Sequence, residues 1–379
     1  MGVAEFAVVF PGAHTGGGIE RIALELARFE AKRRTTCFVG ERIDDPALMH
    51  APVRVPRVPG AIRPWAFRRA ALPVLSGVGA ATTMSLGVQC PPGNVYWVHS
   101  VHAAWLANGG SVVYRGVPVP PAARRLLLRH QVLLRLEHDY FVNHRPWLVL
   151  CTSPREIEDL AQIYGVPRDI MRVTPNGFDG SLFSTERRAE LRGEMRAAIG
   201  AEPDDIVVLM VANEWHRKGL GVVIKAVAGL RDRRIRIDLV GRRDPVDYRP
   251  IATRVGLADR LHWHGPSSDV GRFCAAADVF VLPSVYDPFP LVVLEAMATG
   301  LPAVVSKFAG AASAIDHGTS GLVLDDPRDA SELIANLKLL LDPDRRAKMG
   351  AAAASAVEGY EWGHALARLD SMVFGDSGS

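Results

Sequence analysis

An aspartate and a glutamate stand eight positions apart in "VYDPFPLVVLEAMATG" (285–300), with two prolines and an unbroken apolar run between them. Pro290 suits the first turn of a helix and Gly300 followed by Pro302 suits its end, so the spacing predicts a helix over about 290–299. Asp287 then falls in the loop before the helix. Glu295 falls about five residues into it, roughly 7 to 8 Å along the axis at about 1.5 Å per residue. Between them Leu291 and Val292 offer N–H groups with no preceding turn to bond, while Pro290 has none. One use of this arrangement is to seat a diphosphate on the helix end, with Asp287 and Glu295 accepting hydroxyls on either side. The other is structural, with Asp287 a cap and Glu295 a buried acid paired with a base.

Arg217 and Lys218 in "ANEWHRKGLGVVIKAV" form a second candidate group. Two cations at a helix start face the partial positive charge of the helix dipole, which costs stability unless an anion sits there. Guanidinium, ammonium and helix N–H groups together suit a phosphate.

His99 and His102 follow the apolar run "NVYWV". Their spacing admits a zinc pair, but no third ligand stands nearby, so a polar role facing a substrate is preferred, with His102 ahead of His99 and one of the two purely structural. Gly16, Gly17 and Gly18 in "PGAHTGGGIERIALELA" either form a tight turn or let backbone approach a ligand ahead of a helix start. They do not make a dinucleotide fingerprint, because Arg21 stands where its third glycine belongs. Asp342 and Asp344 in "LDPDRR" form an Asp-x-Asp that reads as a turn between helices rather than a metal site.

Residues after strand ends carry weight because open parallel sheets bind ligands beyond the carboxyl ends of their strands. Buried apolar runs alternate with amphipathic segments throughout, as in "EFAVVF", "ERIALELARFEAK" and "TTCFVG", the pattern of an α/β protein with both sheet faces covered. A second series begins at "DIVVLMVANE" and continues through "RIDLVG", "VFVLPS" and "PAVVS". Two series in 379 residues predict two doubly wound, Rossmann-like domains. The polar stretch "FDGSLFSTERRAELRGEMRAAIGAEPDD" places the boundary near residue 185, giving domains 1–185 and 186–361, with a helix over about 362–379 packing back on the first. The tail "DSGS" is expected to be disordered.

Apolar residues make up 48% of the chain and charged residues 22%, which suits a globular fold rather than a disordered one. The start "MGVAEFAVVFPG" has Glu5 and no basic stretch before its apolar run, so it reads as a first strand rather than a signal peptide. The four scattered cysteines are expected to be inert core residues in a reducing compartment. Residues 1–180 hold 20 Lys and Arg against 14 Asp and Glu, a net of +6, so the remainder is +3 minus +6, or −3. The arginines of "RVPRVPGAIRPWAFRRA" (54–70) and "AARRLLLRHQVLLRLEHDYF" (122–141) flank apolar stripes. Either they are solvated charges on packed helices or they touch an anionic membrane or acceptor.

Together these residues resemble glycosyltransferase family 4, the retaining nucleotide-sugar enzymes of the GT-B fold. In "DVFVLPSVYDPFPLVVLEAMATGLPAVVS" the chain resembles the family's E-x7-E signature, with Asp287 in place of the first glutamate and Glu295 as the second. "VTPNGFD" is similar to the family's Asn-Gly-Phe-Asp segment and "ANEWHRKG" to its phosphate-binding segment, although Ala212 and Pro290 replace a common arginine and glycine. The branch most resembled is the bacterial lipopolysaccharide core glycosyltransferases, through "GGGIERIA", "NVYWVHSVHAAWL" and "LLLRHQVLLRLEHDYF". The resemblance implies two facing Rossmann-like domains with a cleft between them. It implies sugar transfer from a UDP- or GDP-linked donor to a hydroxyl acceptor (saccharide, glycolipid or natural product), with no cofactor and no metal.

Donor contacts would come from Gly17, Gly18, Arg217, Lys218, Asp287, Phe289, Leu291, Val292 and Glu295, with Glu295 on the ribose. The catalytic group would be His102 or His99, with Asp287, Lys218 and Arg217. A cytoplasmic protein is expected, peripheral at the inner face of the membrane, with no nucleic-acid partner. An epimerase or phosphorylase of the same fold, and a silent nucleotide-sugar-binding protein, are the alternatives.

Overall fold

The computed structural model of the chain describes residues 4–108, 113–114, 117–118, 123 and 126–375. The chain forms two compact units, Met1–Asn176 with Trp362–Ser379, and Gly177–Glu361. The division lies ahead of the expected residue 185, because the polar stretch after Gly177 packs with the second unit. Phe178 N donates to Tyr360 O at 3.1 Å, and Arg187 reaches Asp269 at 2.6 Å. The expected disordered tail and part of 122–141 lie outside the described residues.

The first unit is built on a seven-stranded parallel sheet: β1 (Phe6–Val9), β2 (Thr36–Gly40), β3 (Met49–Pro52), β4 (Thr82–Ser85), β5 (Val95–Val98), β6 (Leu148–Cys151) and β7 (Met171–Val173), in the order β7-β6-β5-β4-β1-β2-β3. Its helices include α1 (Gly18–Ala31), α2 (Arg63–Val78), α3 (His102–Ala107), α4 (Leu128–His138) and α5 (Pro154–Tyr164). Four-residue strands such as FAVV and VYWV are buried along their whole length, as a sheet covered on both faces requires.

The second unit opens with α6 (Thr185–Ala198) and has a six-stranded sheet: β8 (Ile206–Val211), β9 (Ile235–Val240), β10 (Leu261–Trp263), β11 (Val279–Leu282), β12 (Ala303–Ser306) and β13 (Gly321–Leu324), in the order β10-β9-β8-β11-β12-β13. Every described pairing in both sheets is parallel. Strand order reverses between β8 and β11 here and between β1 and β4 in the first unit. These are the switch points at which such sheets leave a crevice.

Three helices bear on the second crevice: α7 (Trp215–Lys218), α8 (Leu220–Leu230) and α9 (Leu291–Ala298). The expected helix at 290–299 is one residue shorter at each end. Pro290 is its N-cap (φ −69°, ψ 107°) rather than its first residue, and Thr299 closes it. The amino-terminal end of β11 is held by α6, whose Arg192 and Arg196 donate to the carbonyls of Ala276 and Ala277 and to Asp278. A cavity of about 390 Å³ lies there, lined by these arginines, Asp205, Asp278 and Arg346.

Candidate functional site

Lys218, Arg217, Asp287 and Ser284 all stand just past the carboxyl ends of β8 and β11, the neighbouring strands of the second switch point. Gly219 makes the turn possible. It ends α7 and starts α8 at φ 86°, and a Cβ there would overlap the carbonyl of Pro283 on the facing loop. Arg217 O accepts from Val285 N at 3.0 Å and Arg217 Nη1 donates to Tyr286 O at 2.7 Å, so the two strand ends are stitched together. Asp287 is fixed from the third strand: its N donates to Phe308 O at 3.0 Å, and its O accepts from Gly310 N at 2.8 Å.

The anion that Arg217 and Lys218 were expected to need is present within the chain. Lys218 Nζ contacts Asp287 Oδ2, Arg217 Nη1 lies 3.7 Å from the same oxygen, and Arg217 Nε donates to Glu214 Oε2 at 3.0 Å. The cations stand where the sequence puts them, immediately before Gly219 and the start of the eleven-residue α8, and they also close the short α7. Lys218 is only 9% exposed. Burial, reinforced by Arg217, pulls its ammonium well below the ordinary lysine range, and Glu214 acts in the opposite direction.

Phe289 and Leu291 are buried beside this cluster, and Val292 is half-buried. The N–H groups of Leu291 and Val292 open α9, where the Pro290 carbonyl accepts from Val293 N at 3.1 Å. Glu295 is buried at 4% exposure one turn further in, on the same helix. Ser284 Oγ is buried without a partner among the described residues, so the crevice keeps one unsatisfied hydroxyl.

In the first unit the glycine turn follows β1. Gly17 is the N-cap of α1 in an extended conformation (φ −150°), and a Cβ on it would overlap the Glu20 carboxylate. The Glu20 carboxylate therefore lies directly against the Gly17 backbone.

His99 is buried against Trp97, with Nδ1 3.2 Å from Trp97 O, and burial pushes it down to about 4. His102 is half-buried at the start of α3, and burial, with His130 and Arg129 nearby, pushes it down to about 4 as well. Sequence reasoning missed two of its neighbours: His130, whose Nδ1 is 3.0 Å from His102 Nε2, and Glu137, which holds the backbone of His102 and Ala103. Both were in view as members of the arginine-flanked stripe, where their spacing of two helical turns was the available signal.

Among the described residues no cluster of three or more His, Cys, Asp or Glu could hold a metal. Asp342 caps the helix Pro343–Val357 through the N–H of Asp344. All four cysteines are free and buried, and burial pushes their thiols up.

Residues 192–356 match the family described as glycosyl transferases group 1. D-inositol 3-phosphate glycosyltransferase of Arthrobacter sp. (strain FB24) is 31% identical over 224 residues, which cover 56% of this chain and 52% of that protein. An uncharacterized glycosyltransferase of Methanocaldococcus jannaschii is 29% identical over 188 residues, 48% of each chain. The chain thus spans about half the length of the curated relatives it matches.

Among solved structures, WaaG, a glycosyltransferase involved in lipopolysaccharide biosynthesis, superposes with a TM-score of 0.82 at 20% identity, covering 98% of this chain and all of that one. HepE of Anabaena, solved with UDP and glucose, superposes with a TM-score of 0.70 at 19% identity, covering 98% and 99%. At these identities the likeness is one of fold, and the fold is GT-B, with its two Rossmann-like sheets. The resemblance read from the motifs is borne out in the family match of the second unit and in the fold of both.

Proposed function

We propose, from the match of residues 192–356 to the glycosyl transferases group 1 family, that the protein transfers a sugar from a nucleoside-diphosphate sugar to a hydroxyl acceptor. The observation that carries this reading is the cluster of Lys218, Arg217 and Asp287 at the β8/β11 switch point, where the start of α9 adds N–H groups. A departing nucleoside diphosphate gains negative charge as the anomeric carbon becomes cationic, and fixed positive groups stabilise that change without metal. In this reading Lys218 leaves Asp287 for the diphosphate, and Asp287 is released to accept from the sugar. Glu295 accepts from the ribose, Leu291 and Val292 donate to phosphate oxygens, and Phe289 packs beside them. Attack from the face of departure retains the anomeric configuration, with the diphosphate helping to remove the acceptor proton. His102, neutral at pH 7, orients the sugar or acceptor.

HepE was solved with UDP, which supports a UDP-linked donor ahead of a GDP-linked one. The test is a panel of UDP-, GDP-, ADP- and dTDP-sugars. The correct donor raises the unfolding temperature by mass action, with about 2.7 kcal/mol of added stability at a hundred times Kd. Nucleoside diphosphate released only when acceptor is present excludes an epimerase, and a donor left intact with every acceptor tried would point to a silent binding protein.

Contact with an anionic membrane is part of the same proposal. Helix α2 exposes Trp65 and Leu72 beside Arg69, and the start of α4 exposes Leu126 and Leu128 beside Arg129. Arg68 is not part of that surface: it is buried and donates to Asp139 at 2.5 Å, joining α2 to the end of α4. Among the described residues no helix is long and apolar enough to cross a membrane. Sedimentation with vesicles rich in anionic lipid should capture the protein and lose it when Trp65 and Leu72 become serine; equal capture on neutral vesicles would refute the charge contribution.

A further inference from the structure

His130 and Glu137 lie two turns apart on α4 and so on one face of it, and both are buried. Both meet the start of α3. The Glu137 carboxylate accepts from the backbone N–H of His102 and, at 2.8 Å, from that of Ala103, and the Tyr164 hydroxyl of α5 donates to it at 2.6 Å. His130 Nδ1 is 3.0 Å from His102 Nε2. The rings of Trp105 and His130 lie nearly parallel to that of His102, at 5.4 Å and 15° for the indole and 5.1 Å and 17° for the second imidazole. One face of α4 thus holds the main chain of His102 with a carboxylate and its ring with another ring.

We propose that His130 is a positioning residue that fixes the tautomer and orientation of His102, so that the ligand meets His102 at Nδ1. An imidazole has two nitrogens, and the bond one of them makes decides the state of the other. With Nε2 committed to His130, Nδ1 is the nitrogen left for a substrate hydroxyl. A single proton serves the hydrogen bond between the two rings, donated by one nitrogen and accepted by the other. A proton on both facing nitrogens at once would set two N–H groups head-on 3.0 Å apart in a buried place.

Among the described residues, the charged groups near the pair lend no support to a cation on His102. On α4, Arg129 opposes a proton on His102, while Glu137 is occupied by the two backbone N–H groups and Tyr164. From α5, Asp159 bears on Glu137 rather than on the rings. His102 is therefore a neutral hydrogen-bonding group at pH 7, with its ring plane set by its neighbours.

This inference rests on the reading of His102 as a group at the reacting centre, and the test separates the two. His130→Phe keeps the ring stack and removes both nitrogens; His130→Asn keeps a hydrogen-bonding group near Nδ1 and removes the titration. At saturating donor, His130→Phe should lower kcat roughly tenfold with the donor KM unchanged, and should move the acid limb of the pH profile upward, short of the free value because burial remains. His130→Asn should recover most of kcat. Independently of activity, nitrogen NMR of the His102 ring should report one tautomer in the parent and mixed tautomers in His130→Phe.

Parent kcat, an unmoved acid limb and an unchanged His102 tautomer in His130→Phe would overturn the proposal. Full transfer by His102→Phe would instead remove His102 from the reacting centre, while the ring-nitrogen spectra would still decide whether His130 sets its tautomer.

Discussion

Lys218 and Asp287 hold each other, and this pairing gives opposite signs to two substitutions. Asp287→Asn removes a competitor for Lys218 and a negative charge from the crevice. It should tighten binding of free nucleoside diphosphate on the order of tenfold, about 1.4 kcal/mol, while lowering turnover of the full donor. Calorimetric titration with the diphosphate checks it, and weaker binding by the variant would show that Asp287 does not compete. Lys218→Ala should abolish transfer. It should also cost about 1 to 3 kcal/mol of stability, because it leaves a buried carboxylate with Arg217 alone at 3.7 Å, as denaturant titration would measure. Sequence placed all these residues in one site by their position after strand ends. Their partnership was hidden, because the contact between residues so far apart in the chain depends on the parallel neighbours β8 and β11.

At the scale of elements, the strands were legible because a parallel sheet covered on both faces turns each strand into a short apolar run. The ends of helices were less legible. Pro290 fits a first helical residue and an N-cap equally well by type, and the fold uses it as the cap. In "WHRKGLGVV" the start of α8 after the glycine was legible, but the short α7 before it and the φ of 86° at the joint were not, since such a glycine looks like any other in sequence. It is the joint on which the cluster depends. Gly219→Ala would force a Cβ into the Pro283 carbonyl and strain the backbone, so a loss of roughly 2 kcal/mol or more and a displaced Lys218 are expected. Thermal unfolding together with donor affinity tests this, and a variant with parental values for both would mean the turn relaxes without cost. His130 and Glu137 escaped notice for a related reason: on an amphipathic stripe they look like edge polar residues, and only the start of α3 against that face gives them partners.

For the whole molecule, the last helix Trp362–Phe374 belongs to the first unit although the second unit lies between them in sequence. Arg34 fastens it: its guanidinium bonds Glu30 on α1 and Asp370 at 2.6 Å on the last helix, and stacks 3.5 Å over Phe374, which meets the edge of Phe6 at 5.4 Å. Burial raises Glu30 to about 7 despite Arg34, with Asp370 adding to the rise. A carboxyl whose folded value lies above its unfolded one contributes stability that is full below about 4.5 and is lost as pH rises through about 7. Glu30→Gln should therefore flatten the loss of stability between pH 5 and 8, by an amount on the order of 2 kcal/mol. Denaturant midpoints across that range decide it, and parallel curves for variant and parent would show that Glu30 does not titrate there. His99 and His102, both held down to about 4, act in the opposite sense, and their contribution fades as pH falls below 6.5.

The placement of that last helix also sets an order of assembly during translation. When residue 361 has emerged from the ribosome the second unit is complete and contiguous, whereas the first, begun some hundreds of residues earlier, still waits for the ring that covers Phe6. The half made first is the half finished last, and until Phe374 arrives the apolar face around Phe6 is a surface that chaperones would recognise.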